Sequence, residues 1–149
     1  MKDIISATLQ QLKTVNGVKY VAEDYGQLDF AGVYPVKFPA VLVAPVNFQY
    51  ETLLKDPDKS PQLRQQATGE FEIAVAVQMI SKANAAAPAQ MIDKALEIWD
   101  IVQAVHEKIQ GFQPAPYAGV FVRKFQQTER NDSGLKIVRI TYDLGLHDV

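Results

Sequence analysis

The sequence predicts a single α+β domain over residues 1–149. Its sheet is largely antiparallel, with four to five strands, and two helices pack on one face. Three observations carry this. Residues 69–79 alternate sharply, with Phe71, Ile73, Val75, Val77 and Met79 on one side and Glu70, Glu72, Ala74, Ala76 and Gln78 on the other. Period-two alternation with a mixed second side describes a strand of an antiparallel sheet with only one face fully buried. Residues 88–109 then carry apolar side chains at helical spacing. Finally, 120–126 and 135–146 read as two strands joined by a polar tip. The order is α-β-β-β-α-β-β. Strands and helices do not alternate regularly and only one full-length crossover helix is expected, which argues against a doubly wound nucleotide-binding fold, and both helices are expected on one face of the sheet.

Each element has a local reason. Residues 3–15 form a first helix, with Asp3 as its cap and Ile5, Leu9 and Leu12 on one side. Asn16 and Gly17 stop it, since both tolerate the left-handed conformation. Residues 18–21 make a short strand and 22–37 an irregular segment punctuated by Gly26, Gly32 and Pro35. Residues 38–44 are a β-rich run in which Pro39 belongs at a strand start or edge, and Pro45 bends or ends it. From about 47 to 68 the chain reads as a long connection, polar and turn-rich at Asp56-Pro57-Asp58-Lys59-Ser60-Pro61. A connection that long inside a compact domain is usually functional or mobile. The small Ala74 and Ala76 leave room for another subunit against the second face of the 69–79 strand. A polar linker, 81–87, leads into the second helix, whose buried stripe is expected to be Ile92, Leu96, Trp99, Val102 and Ile109, with Ala95, Ile98 and Val105 beside it. Gly111, Pro114 and Pro116 end that helix. In the last strand Val138, Ile140, Tyr142, Leu144 and Leu146 share one face, and 128–134 form the tip before it.

Composition narrows the function. At 149 residues and 48% hydrophobic the chain can build one adequate core. The net charge of −2 argues against a general phosphate-backbone binder, and no direct nucleic-acid recognition is expected. There is no cysteine, so disulfides, thiolate catalysis and cysteine-based zinc sites are excluded. No stretch approaches the roughly 20 apolar residues of a membrane span, and the N-terminus lacks the apolar run of a signal peptide.

The candidate chemistry is sparse. Asp93, Glu97 and Asp100 are close together on the second helix, as an oxygen-ligand site or acid/base pair would require, but a solvated face opposite the Trp99 stripe is the better reading. His106 and His147 have no partners at ligand spacing and read as structural residues. Neither a Gly-x-Ser-x-Gly elbow nor a glycine-rich phosphate cradle occurs. No cofactor, metal or catalytic residue is therefore assigned. Arg123, Lys124, Arg130, Lys136 and Arg139 cluster around the hairpin with Phe121, Phe125 and Tyr142 interleaved. That mixture suits an exposed sheet face or a subunit interface. Tyr20, Tyr25, Phe30 and Tyr34 either anchor a wrapped segment or belong to a partner surface.

An N-terminal helix comes first, then a strand over 38–44, a long polar loop and a strand over 68–79. One long helix with a central Trp99 follows, and the closing hairpin ends in Ile140-Thr141-Tyr142-Asp143-Leu144-Gly145-Leu146. This layout resembles the tail terminator (tail-completion) proteins of long-tailed bacteriophages and prophages, over nearly the whole chain. The resemblance implies a non-enzymatic structural protein. Such a protein forms a ring, commonly hexameric, on the end of the tail tube, stops its polymerisation and presents a surface to the head-completion protein. It also implies assembly in the bacterial cytoplasm and final residence in the virion tail. A ring needs a heterologous interface that closes. The candidate interface residues are Asp56, Asp58, Lys59 and Arg64 in the long loop, and Arg123, Arg130, Asp132 and Arg139 around the hairpin. The alternative is a monomeric or dimeric ligand- or partner-binding module, with a pocket lined by Tyr25, Phe30 and Tyr34.

Overall fold

A computed structural model describes residues 1–30, 33–58, 60, 63–79, 89–132 and 134–149. The linker 81–87, Pro88, Gly32, Lys59, Pro61 and Ser133 therefore lie outside the described residues. The elements are α1 (Lys2–Leu12), β1 (Tyr20–Glu23), β2 (Ala40–Lys55), β3 (Leu63–Gln78), α2 (Ala89–Ile109), β4 (Val122–Arg130) and β5 (Leu135–His147). They follow the expected order and form one five-stranded sheet, β1-β2-β3-β5-β4. β1 runs parallel to β2, and every other pair is antiparallel.

α1 buries Ile4, Thr8 and Leu12, a stripe one residue round from the expected one, with Ile5 and Leu9 packing at its margin. Thr8 is tolerated in the core because its hydroxyl donates to the Ile4 carbonyl at 2.7 Å. Asp3 is not the cap. Met1 holds that position without a side-chain bond, and Asp3 lies in the first turn, where its charge complements the helix dipole. Gly17 (φ +85°) supports the turn into β1, which begins two residues later than expected.

The long connection expected over 47–68 is largely strand. β2 passes through Pro45 by a bulge between Pro45 and Asn47, has a second irregularity between Thr52 and Leu54, and continues to Lys55. β3 starts at Leu63, so the two strands form a ribbon closed by a short tip. Proline survives there because β2 beyond Val43 has β3 on one side and no β1 on the other. Likewise β4 runs to Arg130 and β5 starts at Leu135, shortening the expected seven-residue tip, and the Gly134 amide donates to the Asn131 carbonyl at 3.2 Å in the turn between them. Asn131 holds that turn, its side-chain oxygen accepting from the Leu135 amide at 3.1 Å.

The main core lies between the helices and one sheet face. Val41, Val43, Phe71, Ile73, Val75, Val138, Ile140, Tyr142 and Leu144 meet Ile4 and Leu12 of α1 and Ile98, Ile101, Val102, Val105 and Ile109 of α2. Phe48, Phe71, Phe121 and Tyr142 form an edge-to-face chain, with successive centroids 5.6, 5.4 and 6.1 Å apart. α2 is rotated from the expected stripe. Trp99 and Leu96 are 38% and 51% exposed, and Ile98 and Ile101 take the buried positions. The apolar residues of α2 span about half its circumference, a wider arc than the sheet covers, so spacing alone does not fix which part of that arc is buried. The Lys136 ammonium sits 4.8 Å from the Trp99 ring centroid, a cation–π contact at the surface.

The second sheet face is covered in part by the chain itself. Leu28 is buried against Leu42, Ala74, Ala76, Leu135 and Ile137, with Val36 and Phe38 packing beside it. Ala74 and Ala76 thus make room for this irregular segment rather than for another subunit. Gln27, fully buried, stiffens the segment by accepting from the Tyr25 amide and donating to the Glu23 carbonyl, both at 2.9 Å.

Candidate functional site

Position along the strands decides where each charged side chain goes. Directly paired residues share a face, and β3 is regular throughout. Ala74 therefore places Arg139 on the second face, and Arg139 in turn places Gln127 of β4 there. The Arg139 guanidinium is half-buried and engages Glu129 at 2.6 Å, Glu72 at 2.8 Å and Asp24 at 3.4 Å. Burial alone would lower its pKa, but the bonds to Glu129 and Glu72 outweigh that and raise it. Arg139 is therefore committed within the chain, joining β5 to β4, β3 and the covering segment. Toward the other end of the same face, Lys124 pairs with Glu70 and lies 3.7 Å from Asp143.

The remaining expected interface residues fall in two further places. Asp56 and Asp58 are at the ribbon tip, where the Asp56 carboxylate accepts from the Asp58 amide at 3.1 Å. Arg64, just inside the ribbon, makes a two-pronged bond to Asp148 with both contacts at 2.7 Å, and this pairing raises its pKa. Arg130 and Asp132 are exposed at the β4–β5 turn, and Arg123 is exposed where β4 begins. Lys59 is outside the described residues. The structure brings Asp56, Asp58 and Arg64 together at the ribbon and Arg130 with Asp132 at the turn. It does not unite the two groups.

On the helix side, His106 is half-buried, with Nδ1 3.1 Å from the Tyr142 hydroxyl and the two rings stacked. Burial, and secondarily the Arg123 charge, lowers the His106 pKa, whereas burial pushes the Tyr142 hydroxyl up to about 12. Asp93, Glu97 and Asp100 are exposed on α2. Among the described residues no group of three or more His, Asp or Glu is placed to hold a metal ion. A shallow concavity of about 550 Å³ lies between the start of β2, the end of β3 and α2, with Lys19, Phe38, Val77, Met79, Lys94 and Glu97 on its walls. Tyr25, Phe30 and Tyr34 do not line it. Tyr25 and Tyr34 meet edge to face at 5.5 Å on the surface, and Phe30 is exposed. No helix of the described residues is long and apolar enough to cross a membrane.

An antiparallel sheet with exposed edges is what the sequence leads one to expect, but their location comes only from the structure, which has two free strand edges among the described residues. β1 covers β2 only from Ala40 to Val43, so, among the described residues, 44–55 of β2 have β3 on one side and no strand on the other. β4 is the last strand of the sheet on the far side, and eight of its nine residues are exposed. The signal for the first edge was present, since Phe48, Tyr50 and Thr52 alternate with Asn47, Gln49 and Glu51. Pro45, expected to bend or end the strand, bends it by a bulge, and the alternation resumes beyond it.

No protein-family model matches this chain, and no curated protein matches it. Among solved structures it is similar to a chain from the virion of a native gene transfer agent particle. The TM-score is 0.56 at 12% identity, and the match covers 96% of this chain and 93% of that one. At that identity the likeness establishes a shared fold across essentially the full length of both chains.

Proposed function

We propose that this chain is a non-enzymatic structural component of a phage-like virion and acts as a tail terminator. In this reading copies of the chain form a ring on the end of the tail tube. The ring halts tube polymerisation and offers its other side to the head-completion protein. Assembly takes place in the host cytoplasm, and the finished protein resides in the virion tail. The observation that carries the proposal is the full-length fold match to a chain of a virion particle, joined to the terminator-like order of elements. The site supports a structural role: charged side chains on the second sheet face are spent on one another, and Asp93, Glu97, Asp100 and His106 do not converge. The expected ring of six copies of the 16.6 kDa chain has a mass of about 100 kDa. The deciding experiment adds purified protein to polymerising tail tubes and follows tube length and end structure by electron microscopy. Tubes of fixed length with an added ring at one end are expected. Tubes that grow unchecked with bare ends would reject the terminator role.

A further inference from the structure

We propose that the two free strand edges are the two halves of one contact: residues 44–55 of β2 on one copy pair with β4 of the next. The inference rests on the ring-forming reading above and names the surface that would build the ring.

Four observations converge on a second copy as the occupant. The first is direction. β2 is antiparallel to β3, β3 to β5 and β5 to β4, so β4 runs opposite to β2. Two copies in the same orientation therefore present these edges as an antiparallel pair, with both helix layers on the same side. The second is length. Between its two irregularities β2 has a regular run over 47–52, and β4 beyond its own irregularity has a regular run over 125–130. Each is six residues of uninterrupted strand.

The third is exposure. Sheet edges are usually blunted against self-pairing, yet Val46, Tyr50, Leu53 and Leu54 are exposed along β2, as are Val122 and Phe125 along β4. Among the described residues no backbone hydrogen bond outside the sheet ladder occupies 44–55 or 122–130. One side chain does reach β4, at its first turn into the sheet, where the Gln110 oxygen accepts from the Arg123 amide at 2.9 Å. The regular run beyond it stays open.

The fourth is charge. β4 carries Arg123 and Arg130, its Lys124 and Glu129 being paired within the chain to Glu70 and Arg139, whereas 44–58 carry Glu51, Asp56 and Asp58 against one Lys55. Antiparallel pairing sets the Arg123–Lys124 end of β4 beside the Asp56–Asp58 end of the ribbon. The competing two-fold pairing of β4 with β4 would set two net-positive strands side by side. Complementarity therefore favours the heterologous contact, the type that closes rings.

The chain has no cysteine, so thiols can be placed at will. Gln49, paired with Thr68, and Gln127, paired with Arg139, are both exposed on the second face. The two registers that keep the faces aligned over five residues of each regular run put them opposite or about 8 Å apart diagonally. Gln49→Cys and Gln127→Cys variants, one carrying a mass tag, are mixed and treated with a short bis-maleimide. The expected product is a covalent heterodimer, with neither variant linking to itself, and the double variant should give a ladder of covalent multimers. Asp56→Lys with Asp58→Lys should slow the linking about tenfold at low salt and have little effect near 1 M salt, where the Debye length is about 3 Å. Absence of the heterodimer overturns the proposal, as does a single variant that links to itself equally well. If wild-type protein still forms a ring of about 100 kDa without edge linking, the ring reading stands and only this contact falls. If the heterodimer forms but tubes are not capped, the contact stands and the terminator role falls.

Discussion

On the helix side of β3, Phe71, Ile73 and Val75 are fully buried under α1 and α2. On its other side, Ala74 and Ala76 are equally buried, but under an irregular segment around Leu28. One residue further along that side Glu72 faces Arg139, and beyond it Glu70 faces Lys124 in solvent. The same strand thus has one face closed by large apolar surfaces and one closed by small side chains, a buried glutamine and ion pairs. The first face gains its stability from area removed from water. The second is held by geometry, because a segment without regular structure must have its backbone groups satisfied by side chains such as Gln27, Asp24 and Asn131. The helix side should therefore govern global stability, and the other side should govern local order.

Breaking the aromatic chain on the helix face is the most severe test. Phe71→Ala removes a ring packed between Phe48 and Phe121 and should cost about 3–5 kcal/mol in urea unfolding. A loss under about 1 kcal/mol would mean that this face does not dominate. Next comes Gly69→Ala. A Cβ at residue 69 would lie 2.3 Å from the Phe48 ring and 2.5 Å from the Asn47 carbonyl oxygen. The expected cost is about 1–3 kcal/mol, from forcing the ribbon apart. A Phe48→Ala background should absorb part of it in a double-mutant cycle, leaving the backbone clash.

The second face should respond differently to Arg139→Met. That change keeps the bulk but leaves Glu72, Glu129 and Asp24 converging without a cation. Partial exposure screens them, so the global cost should be near 1–2 kcal/mol rather than the 3–5 of a fully buried broken pair. Its signature is local: hydrogen exchange should accelerate around Leu28 before it does at Ile73. Uniform acceleration across β3 would show that the two faces are not separable.

The same asymmetry explains what the sequence made legible. Every strand with one long apolar face announced itself, and Val138, Ile140, Tyr142, Leu144 and Leu146 were placed on the correct face by alternation alone. The order of elements and the two-helix layer followed from such runs. The ribbon did not, because its outer halves are solvated on both sides, so burial leaves only a faint alternation at Phe48, Tyr50 and Thr52 and none at 63–66. The covering segment was invisible for a related reason: its contacts are long-range, as with the Asn131 side chain donating to the Leu28 carbonyl. Of the expected interface residues, Asp56 and Asp58 lie just past the end of β2, and Arg139 lies among three carboxylates, surroundings that a sequence does not reveal. Helical spacing puts Trp99 in the buried stripe, whereas it is 38% exposed. Its exposure predicts that Trp99→Ala costs under about 1.5 kcal/mol, well short of the 3–5 of a buried tryptophan. Ile98→Ala should cost about 2–5, and the reverse ranking would restore the expected helix orientation.

The smallest effect concerns the margin of the helix-side core, where His106 meets Tyr142. The Tyr142 hydroxyl, pushed up to about 12 by burial, stays neutral through the whole working range. Neutral His106 with its proton on Nε2 lets Nδ1 accept from that hydroxyl. The folded imidazole protonates at lower pH than its ordinary value of 6.5, first because burial disfavours its charge and second because Arg123 is near, with Glu107 opposing. The unfolded chain therefore binds this proton first as pH falls. Stability is unaffected by His106 well above pH 6.5, declines as pH drops through that value, and stops declining below the folded pKa. His106→Gln keeps a hydrogen-bonding side chain but removes the titration. Between about pH 7.5 and 5.5 the wild type should lose more stability than this variant, in the direction that linkage requires. Parallel pH profiles for the two proteins would mean that the imidazole is hydrated and free to protonate, and that the dry core ends before it reaches α2's last turn.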